Sequence, residues 1–267
     1  MAIEVFSRYE KKYLIDSKKY KYIVDRMSKY MRPDKFNLEK EFYNIANVYY
    51  DTDNDELIRR SLSKPVYKEK LRLRGYGILN ADDLAFLEIK KKYKGKVYKR
   101  RTKLSLCEAN ELIHNGTIPK DKEYINQQIL HEIEYFLKCY SLSEKVYISY
   151  DRKAFYAKDD FDFRVTFDTN IMTRRDNVAL DKVSENKLLI GNDLWLMEVK
   201  SPFAIPLWFA EILSEVNVYP VSFSKYGTEY QKYIVEKNNL LNKGEEKLCL
   251  KQFLKPQQYQ LKKQLFV

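Results

Sequence analysis

The stretch VYKEKLRLRGY, Val66–Tyr76, decides how this chain folds. Lys68, Lys70, Arg72 and Arg74 occupy alternate positions, with Leu71 and Leu73 between them. A period of two is the mark of a strand with one face in an apolar layer. Here the other face is cationic. The same one-sided charge recurs along the chain. SRYEKKY gives Arg8, Glu10 and Lys12, and FLEIKKK sets Glu88 and Lys90 against Leu87 and Ile89. SYDRK gives Tyr150 and Arg152. FDFRVTFD sets Asp162, Arg164, Thr166 and Asp168 against Phe161, Phe163, Val165 and Phe167. LWLMEVKSPF sets Glu198 and Lys200 against Trp195, Met197 and Val199. VYKRRTK carries basic residues of both parities, so the placement of Lys99 and Arg101 stays open.

Strands are expected at 5–15, 43–52, 66–76, 84–93, 96–105, 145–156, 161–171 and 193–201, with a tight hairpin at Lys94-Gly95. Helical spacing appears after Asp16 or Ser17, in DNDELIRRSL, in SLCEANELIHNG up to Gly116, in EYINQQILHEIEYFLKCY, and in LWFAEILSEVN and SKYGTEYQKYIVEK on either side of Pro220. Eight antiparallel strands with helices inserted between them predict an α+β fold, a β-barrel with covering helices, because closure removes exposed edges. With 7 Gly and 7 Pro in 267 residues, long linkers are not expected. One domain over 1–242 follows, with a Lys- and Gln-rich extension over 243–267.

A charged strand face is usually only a solvated one. Repetition argues otherwise here, since six strands carry Arg, Lys and sparse Glu where Thr, Ser and Gln would serve. If helices cover the apolar faces from outside, the charged faces line a wet interior. Such an interior repels itself unless an anion fills it. A chain of phosphates fits, and Glu10, Glu88 and Glu198 would hold a divalent metal against its oxygens.

The formal net charge of +11, from 49 Lys and Arg against 38 Asp and Glu, agrees with a polyanionic partner. Cys107, Cys139 and Cys249 form no C-x-x-C pair, and His114 and His131 are the only histidines, which makes a zinc site improbable and suits a reducing cytoplasm. MAIEVFSRYEKKYLI builds no signal-peptide core, and no uncharged run approaches the roughly 18 residues of a membrane span. A soluble cytoplasmic protein is expected, with docking on a membrane-bound partner left open.

The segments YEKKYLI, VYYDT, LRLRGYG, LEIKKK, KRR, YDRKAF, FRVTFD, MEVKSPF and FSKYGTEY, in this order from about Val5 to Tyr233, resemble the vacuolar transporter chaperone (VTC) domain of polyphosphate polymerases. That family sits among the triphosphate tunnel metalloenzymes. The resemblance implies an eight-stranded tunnel, a Mn2+ or Mg2+ ion on a glutamate, and transfer of the γ-phosphate of ATP to a growing polyphosphate chain. It implies catalytic roles for Arg72, Arg74, Lys90, Arg152, Arg164 and Lys200. Lys12, Lys99, Arg101, Tyr150, Ser224 and Lys225 would contact phosphate. Glu198 would be the metal glutamate, helped by Glu10 or Glu88.

One departure stands out. The hydrolases of the superfamily carry E-x-E-x-K on the first strand, where this chain has Arg8-x-Glu10-x-Lys12. Fewer carboxylates remain for a second metal, which favours a polymerase over a hydrolase. A triphosphatase of the same fold and a non-catalytic module binding polyphosphate or inositol phosphates remain competing readings. Nucleic acid is disfavoured, because Phe161, Phe163, Phe167 and Trp195 alternate with the charges and so offer bases no stacking platform on the cationic face.

Overall fold

Every apolar strand face found by alternation is covered by helices in the structure, a computed structural model that describes residues 9–94, 96–160 and 162–242. Arg8, Phe161 and the 243–267 extension lie outside the described residues. The chain divides into two units, Met1–Glu229 and Tyr230–Val267, and the first holds the sheet and all candidate site residues that are described.

The elements run β1 (Tyr9–Asp16), α1 (Ser17–Met27), β2 (Met31–Pro33), a 3-10 turn (Lys35–Asn37), β3 (Tyr43–Asp51), α2 (Glu56–Leu62), β4 (Tyr67–Gly75), β5 (Leu84–Tyr93), β6 (Lys96–Ser105), α3 (Leu106–Asn115), α4 (Gln127–Cys139), β7 (Ser143–Ala157), β8 (Arg164–Arg174), β9 (Lys187–Leu188), β10 (Leu194–Ser201), α5 (Leu207–Glu215) and α6 (Lys225–Asn242). Local chemistry sets the helix ends. The Asp16 carboxylate accepts from the Lys19 N–H at 2.7 Å. Ser105 and Glu108 form a reciprocal capping box at the start of α3, which stops at Gly116 with φ of 68°, a left-handed conformation that glycine adopts without strain.

All strand pairs are antiparallel, in the order β1-β10-β8-β7-β3-β4-β5-β6, with short β2 and β9 added on β7 and β8. These two short strands carry too few alternations to be legible in the sequence. Among the described residues the expected barrel is not closed by hydrogen bonds, since β1 and β6 end the order unpaired with each other. Instead the sheet curls. In a flat sheet β1 and β5 would lie about 29 Å apart, at ~4.8 Å per strand. Yet Lys90 on β5 feels the charges of Glu10 and Lys12 on β1. Irregular pairing at Tyr49/Tyr50 and at Ser149/Asp151 marks the bulges that bend β3, β7 and β8. The free edge of β1 is met by the Val221 N–H, which donates to the Lys12 carbonyl at 2.7 Å.

Two apolar cores lie on the convex side. Val48, Leu71, Leu73, Leu87, Ile89 and Leu104 pack with Leu106, Leu112, Ile129, Ile133 and Phe136 of α3 and α4. Tyr13, Ile15, Val165, Phe167, Met197 and Val199 pack with Ile23, Met27, Phe209 and Ile212 of α1 and α5. Trp195 stacks on Tyr20 with ring centroids 3.7 Å apart. At about 1.5–3 kcal/mol per fully buried large apolar side chain, these cores supply the stability. The concave face is thereby free to carry charge.

Candidate functional site

Strand register assembles the site. Lys12, Glu198 and Thr166 are cross-strand neighbours on β1, β10 and β8, and Glu10, Lys200 and Arg164 follow two residues along. Glu198 therefore sits among cations: Lys12 Nζ at 3.1 Å, Arg152 Nη2 at 3.3 Å, Lys225 Nζ at 3.7 Å and Lys200 Nζ at 3.8 Å. Glu10 shares Lys12 at 3.5 Å and Lys200 at 3.9 Å. Burial alone would raise the Glu198 carboxyl, but Lys12, Lys225, Lys200 and Arg152 hold it well below the usual range. For Glu10, burial and Glu198 push up, while Lys200, Lys90 and Lys12 outweigh them and leave it at about 2. Both are carboxylates at neutral pH.

Beside this group, Arg152 grips Asp168 through two parallel bonds, Nε to Oδ1 at 2.6 Å and Nη2 to Oδ2 at 2.7 Å. Lys225, at the start of α6, reaches the same Oδ2 at 2.5 Å. The Tyr150 ring lies under Lys225 at 4.1 Å and Arg152 at 5.1 Å. Burial would raise its hydroxyl, but Arg152, Arg74 and Lys225 bring it below its ordinary value.

A second group centres on Glu88, only 1% exposed. Arg72 Nε and Lys99 Nζ each lie 2.6 Å from it, Arg74 Nη2 at 3.5 Å and Arg101 Nη1 at 4.0 Å. Arg72 also donates to the Tyr49 hydroxyl at 3.1 Å, and Arg74 to Asn47 Oδ1 at 3.2 Å. The β5–β6 register settles the parity of VYKRRTK. Lys99 and Arg101 turn to the concave face, whereas Arg100 pairs outward with Glu132 at 3.0 Å.

This arrangement separates the three candidate metal carboxylates. Among the described residues no three carboxylate, His or Cys side chains group around a common point. Glu88 shares no ion-pair partner with Glu10 or Glu198 there, because its neighbours on β4 and β6 are all basic. Only Glu10 and Glu198 are brought together.

Between the groups stand Lys90 and Lys70, neither within ion-pair distance of a described carboxylate. Lys90 is water-accessible yet walled in, and burial, Lys12 and Arg72 lower it to about 8 against the pull of Glu10. Burial, Lys90, Lys68 and Lys12 lower Lys70 to about 7, with Asp51 opposing. Lys70 Nζ touches Ser224 Oγ at 3.5 Å. Ser224 also accepts from the Gly227 N–H at 3.2 Å, so it caps α6 as an ordinary helix start would. Arg164 turns toward Asp34, at 3.1 Å.

The sequence reading left Asp168 and Lys70 on the charged face without a role, and it missed Asn47, Tyr49 and Asp34. Alternation in YNIANVYYDT places Asn47 and Tyr49 on the face that meets Arg74 and Arg72. Asp34 lies outside any regular strand, so periodicity carries no signal for it.

The VTC domain family matches the chain over residues 7–234. No curated protein matches. Among solved structures, a candidate adenylate cyclase from Bacillus halodurans superposes with a TM-score of 0.51 at 14% identity, covering 83% of this chain and 96% of that one. A candidate adenylyl cyclase from Hippeastrum, described as having dominant triphosphatase activity, gives 0.49 at 13% identity, covering 85% and 96%.

Proposed function

This chain belongs to the VTC domain family, and we propose from that premise that it is a polyphosphate polymerase, moving the γ-phosphate of ATP onto inorganic polyphosphate. The observation that carries the reading is the concave face itself. Its basic groups outnumber its carboxylates, and Lys70 and Lys90 lie between the two ion-pair groups with no described carboxylate within ion-pair distance. A phosphate chain along that face supplies the missing negative charge.

Phosphoryl transfer asks the protein mainly for positioning and charge neutralisation. The guanidinium groups of Arg72, Arg74, Arg152 and Arg164 are suited to paired phosphate oxygens, and Lys12, Lys90, Lys99 and Lys200 add point charges. Glu88 and Asp168 act as holders in this reading: each fixes basic groups in place before substrate arrives. The acceptor oxygen of a phosphate chain is already ionised, so no general base is needed. His114 and His131 lie elsewhere, on α3 and α4.

The residues also fit a divalent cation. Glu198 and Glu10 are ionised oxygen donors close enough to interact electrostatically, and Mg2+ or Mn2+ at such sites takes one or two carboxylates beside phosphate oxygens. The ion would neutralise charge building on the transferred group. No described helix is long and apolar enough to cross a membrane.

The test is incubation with ATP and Mn2+ or Mg2+, with polymer read on a gel alongside free phosphate. A polyphosphate ladder with ADP supports the polymerase. Orthophosphate alone would replace it by a triphosphatase, and absence of both products and of polyphosphate binding would remove the reading.

A pH signature follows from Lys70. An anion favours the ammonium form, so polyphosphate raises a side chain that sits at about 7 in the free protein. Affinity should be highest below that value and fall as pH rises through it. Calorimetry at about pH 8 in buffers of different ionisation enthalpy should register proton uptake on binding, reduced in Lys70→Gln. Equal uptake in both proteins would place Lys70 away from the anion.

A further inference from the structure

Four aromatic side chains from separate segments meet at one end of the concave face: Phe36 in the 3-10 turn, Tyr43 at the start of β3, Tyr76 just after β4, and Phe86 on β5. Phe36 and Tyr76 are 55% and 42% exposed. They lie near parallel, 20° apart, with centroids 6.4 Å apart. That is the separation of an offset aromatic pair, and both rings keep surface open to solvent. Tyr43 joins the cluster from the side, at 5.8 Å from Phe36 and 6.2 Å from Tyr76. Phe86 closes the rim edge-on to Tyr76 at 6.2 Å.

The rim is joined to the cations. Tyr43 pairs in register with Arg152, and Phe86 with Arg74. The Arg101 guanidinium lies 4.6 Å over the Phe86 ring. Asn37 holds the segment in place: its side chain donates to the Glu41 carbonyl at 2.9 Å and accepts from the Ala154 N–H at 2.9 Å. A flat, π-faced group at the rim would thus have its attached phosphates start among arginines.

We propose that Phe36, Tyr43, Tyr76 and Phe86 form the stacking site for the base of the nucleoside triphosphate donor. The proposal rests on the reading that this face takes a nucleotide donor. It explains why exposed aromatics are placed where the arginine rows end, and it sets the direction of the donor: base at this rim, γ-phosphate inward toward Lys90 and Glu198.

The test compares dissociation constants for ATP and for inorganic tripolyphosphate, which has no base. Phe36→Ala and Tyr76→Ala alter exposed side chains and leave both apolar cores untouched. Each should weaken ATP roughly tenfold while leaving tripolyphosphate within about twofold, and Tyr76→Phe should restore ATP binding. Unchanged ATP affinity, or equal loss for both ligands, would overturn the stacking site while leaving the phosphate-binding reading intact. Wild-type protein that binds neither ligand would overturn both.

Discussion

Glu198→Gln is expected to lower ATP-dependent phosphoryl transfer by roughly 10²–10³-fold, the loss that follows removal of one preorganised electrostatic contact. Lys12, Arg152, Lys200 and Lys225 all converge on this carboxylate, and with Glu10 it offers the oxygen donors suited to a divalent cation. The amide keeps the shape and removes the charge. The four cations then repel one another without a common counterion, and a metal loses an anionic ligand. Steady-state rates should show the loss chiefly in kcat, with circular dichroism confirming that the variant is folded. Near wild-type turnover in a folded variant would sink the assignment of this face as the reaction centre.

Asp168→Asn should cost about 3–5 kcal/mol of stability, the range for breaking a buried charge pair by removing one partner. Asp168 is 0% exposed, and among the described residues it alone joins Arg152 on β7 to Lys225 on α6 at hydrogen-bond distance. Without that carboxylate, the two buried cations are left to share Glu198, at 3.3 Å and 3.7 Å, with Lys12 and Lys200. Burial would raise the Asp168 carboxyl, yet Arg152 and Lys225 hold it below its ordinary 3.8. Its contribution is therefore fully present above that value and lost as pH falls below it. Urea unfolding at neutral pH should show the loss, and the variant should lose less further stability on acidification than wild type. Tripolyphosphate should raise the melting temperature more in the variant than in wild type, because an anion replaces the charge that Asp168 supplied to Arg152 and Lys225. A loss under about 1 kcal/mol would mean that water already screens the pair.

Much of this architecture was legible in the chain. Eight strand segments and six helices lie close to where alternation and helical spacing put them, and Lys70, Arg72 and Arg74 share a face with Leu71 and Leu73 on the other. Glu198 and Lys200, two residues apart on one strand, belong to an arrangement that is less local. Glu198 pairs with Lys12 and Lys200 with Glu10, both on β1, nearly two hundred residues earlier in the chain. Asp168 was visible on the right face, but nothing in FDFRVTFD announces that its partner is Lys225, and Asp34 has no pattern at all. Glu88 was grouped with Glu10 and Glu198 because all three are sparse acids on charged strands. The β4–β5–β6 register gives it four basic neighbours instead.

The sequence by itself determined which side chains share a face wherever charge and apolar residues alternate cleanly, because a strand alternates its side chains with a fixed period of two; in VYKRRTK, basic at both parities, the register had to decide. Only the tertiary structure decided which acid meets which base. That depends on register and curl between strands far apart in the chain, and Coulomb interaction selects on distance in space, not on position along the sequence.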